Sequence, residues 1–313
     1  MRWPKSLNKK IKPCVKLAAY TTFKIGGPAR FFFEPISLKE LQDALVFARD
    51  KRLPVFILGT GSNILVSDSG LNALVIKLSG KDFKGLRING FYMQAGCGLK
   101  LNQLLIRAKN SGLSGLEFLA GIPGTLGGAL MGNAGAWGKS IGDLVEEARV
   151  LDYNGKPKLL KKSQLEFGYR KSNLSKYIIV QAKLKLAPAK QDEIASLTSQ
   201  LLKQRALRQE NNLPNAGCIF KNPMTPQPAA LLKGRQTAAL WPAALWPAGR
   251  LIDACGLKAK AVGGAVISSL HANFILNRGK AKSKDVLSLM RLMRREVKRR
   301  FKVNLEPEIK IWK

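Results

Sequence analysis

RFFFEPISLKELQDALVFARDKRLPVFILGTGSNILVSDSGLNALVIKL, residues 30–78, decides the fold class. RFFFE (30–34), VFIL (55–58) and ALVIKL (73–78) are short apolar runs rich in Phe, Val and Ile, and they read as strands. Residues 38–52, LKELQDALVFARDKR, set Leu38, Leu41, Leu45 and Phe47 near one helical face. Strand, helix, strand, turn, strand predicts an α/β or α+β unit. The turn is Gly59-Thr60-Gly61-Ser62-Asn63, directly after the second strand. Two glycines let backbone approach a ligand closely. Successive N–H groups with Ser and Asn side chains suit a pyrophosphate. An ordinary turn uses the same residues. The pattern is not GxGxxG followed by a helix, so a Rossmann unit is not supported.

Outward from this stretch, residues 86–98 read as strand and 100–111 as a helix stopped by Gly112. Residues 121–138, GIPGTLGGALMGNAGAWG, carry Gly121, Gly124, Gly127, Gly128, Gly132, Gly135 and Gly138. So few side chains pack a core poorly and suit backbone laid against a flat or extended ligand. A flexible linker would be polar, whereas this run keeps Ile122, Leu126, Leu130 and Trp137. Residues 145–151 and 177–187 read as strands around a turn at Asn154-Gly155, and 189–210 as a polar connecting helix. Residues 211–223 read as loop and short strand, 249–256 as the start of a helix, 262–277 as strand-rich and 308–312 as a last strand. The pentapeptide ALWPA occurs twice in tandem, at 239–243 and 244–248, too short for a repeat unit and read as a loop insertion, with a functional lid as the alternative.

The chain has 313 residues, with 53 Lys+Arg against 20 Asp+Glu for a net charge of +33. Hydrophobic residues at 46% and charged residues at 23% exclude a disordered or collagen-like chain, and the length suits two domains. Cys14, Cys97, Cys218 and Cys255 form no CxxC pair, so neither a disulfide framework nor a metal site is expected, and reduced thiols in a cytoplasm are the simple reading. The basic N-terminus lacks the apolar core of a signal peptide, and no apolar run is long enough for membrane insertion. A field of +33 attracts phosphates, nucleic acid and anionic lipid, or reflects a lysine-rich surface with no partner. Its densest zone, 278–302, repeats Val286, Leu287, Met290, Met293 and Val297 at helical spacing, an amphipathic helix with a cationic outer face. Aromatic residues do not alternate with the cations there, as a single-strand platform requires.

Other candidates are scattered. Tyr169-Arg170 lies in FGYRKS, Cys218 in AGCIFKNP ahead of Lys221 and Asn222, the only histidine His271 in HANFI, and Glu308 in LEPEI. Each also has a plain reading: a surface cation, a small buried thiol, a structural histidine, an ion-pair partner.

Taken together, these segments resemble the UDP-N-acetylenolpyruvoylglucosamine reductase (MurB) family over nearly the whole chain. The carrying motifs are YTTFKIGGPA (20–29), ILGTGSNILV (57–66), GLEFLAGIPGTLGGAL (115–130), NAGAWG (133–138), FGYRKS (167–172), CIFKNP (218–223), AGRLIDACGLK (248–258), HANFILN (271–277) and LEPEIKI (305–311). Their number and order make the match specific. The resemblance implies an α+β fold: an FAD-binding domain of the vanillyl-alcohol-oxidase/PCMH type over 18–188, made of two α+β subdomains. A helical connector follows at 189–210, then a smaller α+β C-terminal substrate domain at 211–313.

By motif, noncovalent FAD would be held by Gly59, Thr60, Gly61, Ser62, Asn63, Gly121, Pro123, Gly124, Thr125, Gly127, Gly128, Asn133 and Ala134. NADPH would be co-substrate and a UDP-sugar nucleotide the substrate. Arg170, Cys218 and Glu308 would be catalytic, beside Tyr169, Lys221, Asn222 and His271 at the substrate. The short spacing from Arg170 to Cys218 resembles the subgroup lacking a substrate-capping insertion, and 224–248 looks longer than the family's link. An enolpyruvyl ether accepts hydride at its methylene carbon only if its carboxylate absorbs the charge, which needs cations placed in advance. A guanidinium suits that carboxylate, and a thiol, protonated at neutral pH, suits the proton for the adjacent carbon. Another oxidoreductase on the same FAD scaffold, or nucleic-acid binding through the basic helix, are the alternatives.

Overall fold

The apolar runs near residues 30, 55 and 73 form three adjacent strands. Pro28–Phe33 and Val55–Leu58 both pair parallel with Leu71–Lys77, and Lys12–Lys16 adds the fourth strand of the sheet. Between them runs the helix Leu38–Asp50. Its N-cap Ser37 accepts from the Glu40 N–H at 3.3 Å, and Leu41, Ala44, Leu45 and Ala48 are its buried face. That face joins Trp3, Leu7, Phe33, Leu74 and Ile76 in one apolar cluster. The computed structural model describes residues 3–209, 213–224 and 247–313. The tandem ALWPA copies fall almost wholly outside the described residues.

The chain divides into two units. The first comprises Met1–Val15, Pro28–Thr60 and Leu71–Leu207. Besides the parallel sheet it holds a five-stranded antiparallel sheet in the order 157–161, 145–151, 178–185, 92–96, 86–89. Here the sequence reading missed a strand: Val145–Leu151 turns at Asp152–Lys156 and pairs with Pro157–Lys161, a run whose lysines hid its pattern. Helix Leu101–Asn110 and the short helix Leu126–Met131 contribute Leu104, Ala108, Leu126 and Leu130 to this sheet's core.

The second unit comprises Lys16–Gly27, Gly61–Gly70 and Arg208–Lys313. Its antiparallel sheet orders Ala261–Val262, Ala265–Ile267 and Ile275–Asn277, and helix Ser283–Phe301 buries Val286, Leu289, Met290, Met293 and Val297 in the same core. Asp68 caps that helix, accepting from Ser283 N and Oγ at 2.8 Å each.

These two units are discontinuous in sequence and do not follow the expected boundaries at 18–188, 189–210 and 211–313. Residues 16–27 and 61–70 belong with the C-terminal segment, because Ile64–Val66 pairs parallel with Lys310–Trp312 and Phe23, Ile25 and Leu65 enter its core. The polar helix Gln191–Ala206 belongs to the first unit, where Arg205 Nε donates to the Ala120 carbonyl at 2.9 Å. Among the described residues no helix is long and apolar enough to cross a membrane.

Candidate active site

In the first unit, the end of strand Val55–Leu58 meets the glycine-rich run. A cavity of about 90 Å³ lies there, lined by Leu58, Gly59, Cys97, Gly98, Thr125, Gly127, Gly128, Met131 and Tyr177 among others. The sequence-predicted Gly59, Thr125, Gly127 and Gly128 are thus brought together from two motifs. Absent side chains shape this place. A Cβ on Gly59 would sit 2.7 Å from Thr125 Oγ1, and one on Gly127 would sit 3.1 Å from Cys97 Cβ. The Gly127 N–H donates to the Cys97 carbonyl at 2.9 Å, and Thr125 Oγ1 accepts from Gly128 N at 3.3 Å. The lining holds no carboxylate, which suits an anionic nucleotide. A cavity of this size takes only a small part of FAD, and its carboxylate-free wall with glycine backbone fits that part. Burial pushes the Cys97 thiol far above its ordinary range, so it stays protonated and acts as packing.

The other predicted cofactor residues are placed differently. Gly124 accepts from Leu101 N at 3.1 Å, while Gly121, at φ +74°, has Arg205 Cδ 2.9 Å from where a Cβ would stand. Pro123 is exposed between them. Asn133, in the left-handed region at φ +43°, has both side-chain atoms engaged: Oδ1 accepts from Gly142 N at 2.9 Å and Nδ2 donates to the Gly168 carbonyl at 3.0 Å. Ala134 is held by the Ala129 and Ile141 backbones. Thr60 ends the Pro28–Thr60 segment of the first unit. Gly61, Ser62 and Asn63 belong to the second: Gly61 accepts from Thr22 N at 3.2 Å, and Asn63 Nδ2 donates to the Glu308 carbonyl at 3.4 Å.

Arg170 and Tyr169 form the turn of a hairpin, Phe167–Gly168 against Lys171–Ser172, with Arg170 at φ +55°. Three contacts fasten this hairpin to the glycine-rich run. They are Asn133 Nδ2 to Gly168, Ser172 Oγ to Met131 O at 3.0 Å, and Arg170 Nη1 to Gly135 O at 3.0 Å. The Arg170 guanidinium also lies 5.6 Å from the Tyr169 ring centroid.

The second unit gathers Cys218, Lys221, Asn222, His271 and Glu308. The segment from Cys218 to Lys221 runs between two others. On one side Cys218 bridges Phe274, and Ile219 N donates to the Asn273 carbonyl at 2.8 Å. On the other, Glu308 N donates to the Ile219 carbonyl at 2.8 Å and Lys221 N to the Glu306 carbonyl at 2.9 Å. Cys218 and Glu308 are therefore carried on adjoining backbone.

Asn273, only 2% exposed, was passed over within HANFILN. Its Oδ1 accepts from Phe220 N at 3.0 Å and its Nδ2 donates to the Phe220 carbonyl at 2.8 Å, the two bonds of a strand partner. Only the fold could reveal that role, since an Asn in an apolar run has no local signature. His271 Nδ1 accepts from Asn273 N at 3.2 Å, and burial lowers the imidazole below its ordinary pKa, assisted by Lys258 and opposed by its own backbone hydrogen bond. Asn222 Oδ1 accepts from Ala248 N at 2.9 Å, opening helix Ala248–Ala254, and Lys221 Nζ pairs with Glu306 at 3.3 Å.

Residues 29–160 match the family model of an FAD binding domain, and residues 208–312 that of the UDP-N-acetylenolpyruvoylglucosamine reductase C-terminal domain. A UDP-N-acetylenolpyruvoylglucosamine reductase of Synechococcus sp. (strain JA-3-3Ab) is 39% identical over 309 residues, covering 97% of this chain and 92% of the relative. This chain belongs to the UDP-N-acetylenolpyruvoylglucosamine reductase family. A reductase of Moorella thermoacetica is 40% identical over 300 residues, covering 95% of this chain and 91% of its own length. The crystal structure of the reductase (MurB) from Thermus caldophilus superposes with a TM-score of 0.77 at 35% identity, covering 97% of this chain and 99% of that one. The fold is accordingly an α+β FAD-binding domain followed by an α+β MurB C-terminal domain. That C-terminal match begins at residue 208, where the long segment of the second unit also begins.

Proposed function

We propose that this protein reduces the enolpyruvyl ether of UDP-N-acetylglucosamine enolpyruvate to the lactyl ether of UDP-N-acetylmuramate, a peptidoglycan precursor, with NADPH as co-substrate. The observation that carries the reading is the pairing of Cys218 and Glu308 on adjoining backbone in the second unit, fixed by the 2.8 Å bond from Glu308 N to Ile219 O. Relatives at 39% and 40% identity over nearly the full chain favour this chemistry over other reactions on the scaffold.

Gly59, Thr125, Gly127 and Gly128 would hold FAD at the cavity they line, where a Cβ on Gly59 or Gly127 would press on Thr125 or Cys97. FAD, once reduced by NADPH, would supply the hydride for the methylene carbon of the ether. The substrate then carries a carbanion at the adjacent carbon, spread into its carboxylate. Arg170 stabilises that charge, since a guanidinium meets a carboxylate in a two-bond fork. The Cys218 thiol donates the proton to the carbon, completing CH2=C to CH3–CH. Glu308 orients or supports that transfer from beside it. Tyr169, Lys221, Asn222 and His271 complete the substrate reading, with Asn222 and His271 acting through backbone they hold. Gly61, Ser62, Asn63, Gly121, Pro123, Gly124, Asn133 and Ala134 shape or support the loops on which FAD rests. The four cysteines are free thiols, and with an NADPH requirement we place the reaction in the cytoplasm.

The test is a visible spectrum of the purified protein, followed by NADPH with and without the enolpyruvyl nucleotide. A yellow protein that oxidises NADPH only with that nucleotide present is expected. A protein that cannot be loaded with FAD, or that turns over NADPH equally without the nucleotide, contradicts the proposal.

A further inference from the structure

The reductase reading leaves one large feature unused. Helix Ser283–Phe301 buries Val286, Leu289, Met290, Met293 and Val297. At 100° per residue, Lys284, Arg291, Arg295 and Lys298 lie within roughly 30° of a single line, about opposite the centre of that buried face. All four are exposed. The row spans about 21 Å at 1.5 Å per residue. Residues 286–302 hold seven cations and one acid, Glu296. Glu296 lies off the row and pairs with Arg295 at 3.0 Å and Arg299 at 2.9 Å.

We propose that this row docks the protein on the surface of an anionic lipid bilayer. The apolar side of the helix is committed to the core, so the helix cannot insert, and docking is electrostatic alone. A straight cationic row meets a plane of anionic headgroups at all four side chains together. Against a nucleic-acid duplex it meets the winding phosphate strand only at crossings. The row carries no aromatic residue to stack single-stranded bases. Charge complementarity thus selects the membrane surface. Each cation held near such a surface strengthens binding about fivefold at moderate salt.

The experiment is cosedimentation of the FAD-loaded full chain with vesicles of phosphatidylcholine alone or with 30% phosphatidylglycerol, at about physiological salt. Two variants are compared with wild type. One is K284Q/R291Q/R295Q/K298Q; the other neutralises four exposed lysines of the first unit, K84Q/K156Q/K176Q/K185Q. Circular dichroism and NADPH-dependent turnover verify that both fold. Binding to the anionic vesicles alone is expected, falling at least thirtyfold in the row variant and less than threefold in the other. Three results overturn the proposal: equal losses in both variants, which assign binding to net charge; retained binding in the row variant; or tighter row-dependent binding to a 30-base-pair duplex than to the anionic vesicles.

Discussion

Around Gly59 and Gly127, the candidate site is shaped by side chains that are missing. Around Cys218, it is shaped by side chains that are held. In the first unit a single methyl group on Gly59 would come within 2.7 Å of Thr125 Oγ1. In the second, three backbone bonds and the amide of Asn273 fix a four-residue segment so that Cys218 and Glu308 stand on adjoining backbone. The contrast matches two tasks. A large flat nucleotide needs backbone at close range, whereas proton transfer to a transient carbanion needs a donor fixed to a fraction of an ångström.

The sharpest way to break the comparison is at the thiol. Cys218→Ala should slow reduction of the enolpyruvyl nucleotide by about 10²–10⁴, the usual weight of a positioned acid, while Cys218→Ser keeps substantial turnover. Equal activity in Cys218→Ala removes the thiol as proton donor. On the other side, Gly59→Ala should weaken FAD retention more than tenfold, read from the flavin absorbance left after gel filtration. Gly85→Ala, where a Cβ meets nothing within 4 Å, should leave it unchanged. If both variants retain FAD alike, the cavity is not the cofactor's.

Asn273→Ala leaves the Phe220 N–H and carbonyl without their buried partner. It should cost about 2–4 kcal/mol of stability and lower kcat through Cys218, with KM for NADPH unchanged. A full-length chain of wild-type Tm and kcat would show that the clamp is dispensable. The smallest effect concerns pH. The folded-state pKa of His271 lies below its unfolded value, so the unfolded chain binds the proton more readily, and the stability present above about 6.5 is lost as pH falls. Protonation of Nδ1 would also remove the acceptor for Asn273 N. His271→Gln should flatten the fall in Tm between pH 7.5 and 5.5; an unchanged slope assigns that fall to other groups.

Much of this was legible in local sequence. The Phe- and Val-rich runs announced the strands at 28–33, 55–58 and 71–77. Glycine spacing marked 121–138, and the Val286–Val297 period marked the last helix. What stayed hidden depends on distant partners. Nothing within residues 16–27 or 61–70 says that they join the C-terminal unit, because Ile64–Val66 becomes a strand only beside Lys310–Trp312. Asn133 and Asn222 read as ligand contacts because polar side chains in glycine-rich or FKNP motifs invite that reading. In the structure the Asn133 amide bonds Gly142 and Gly168, and Asn222 Oδ1 accepts from Ala248 N, structural roles that the motifs do not display. Asn273 was invisible because its function is to imitate backbone.

The most direct test measures the two half-reactions separately in FAD-loaded Glu308→Gln, following flavin absorbance anaerobically. Bleaching by NADPH should proceed at the wild-type rate, and recovery of colour on adding the enolpyruvyl nucleotide should be slowed at least a hundredfold. Equal slowing of both steps, or of neither, would contradict the assignment of the Cys218–Glu308 pair to the substrate's carbanion.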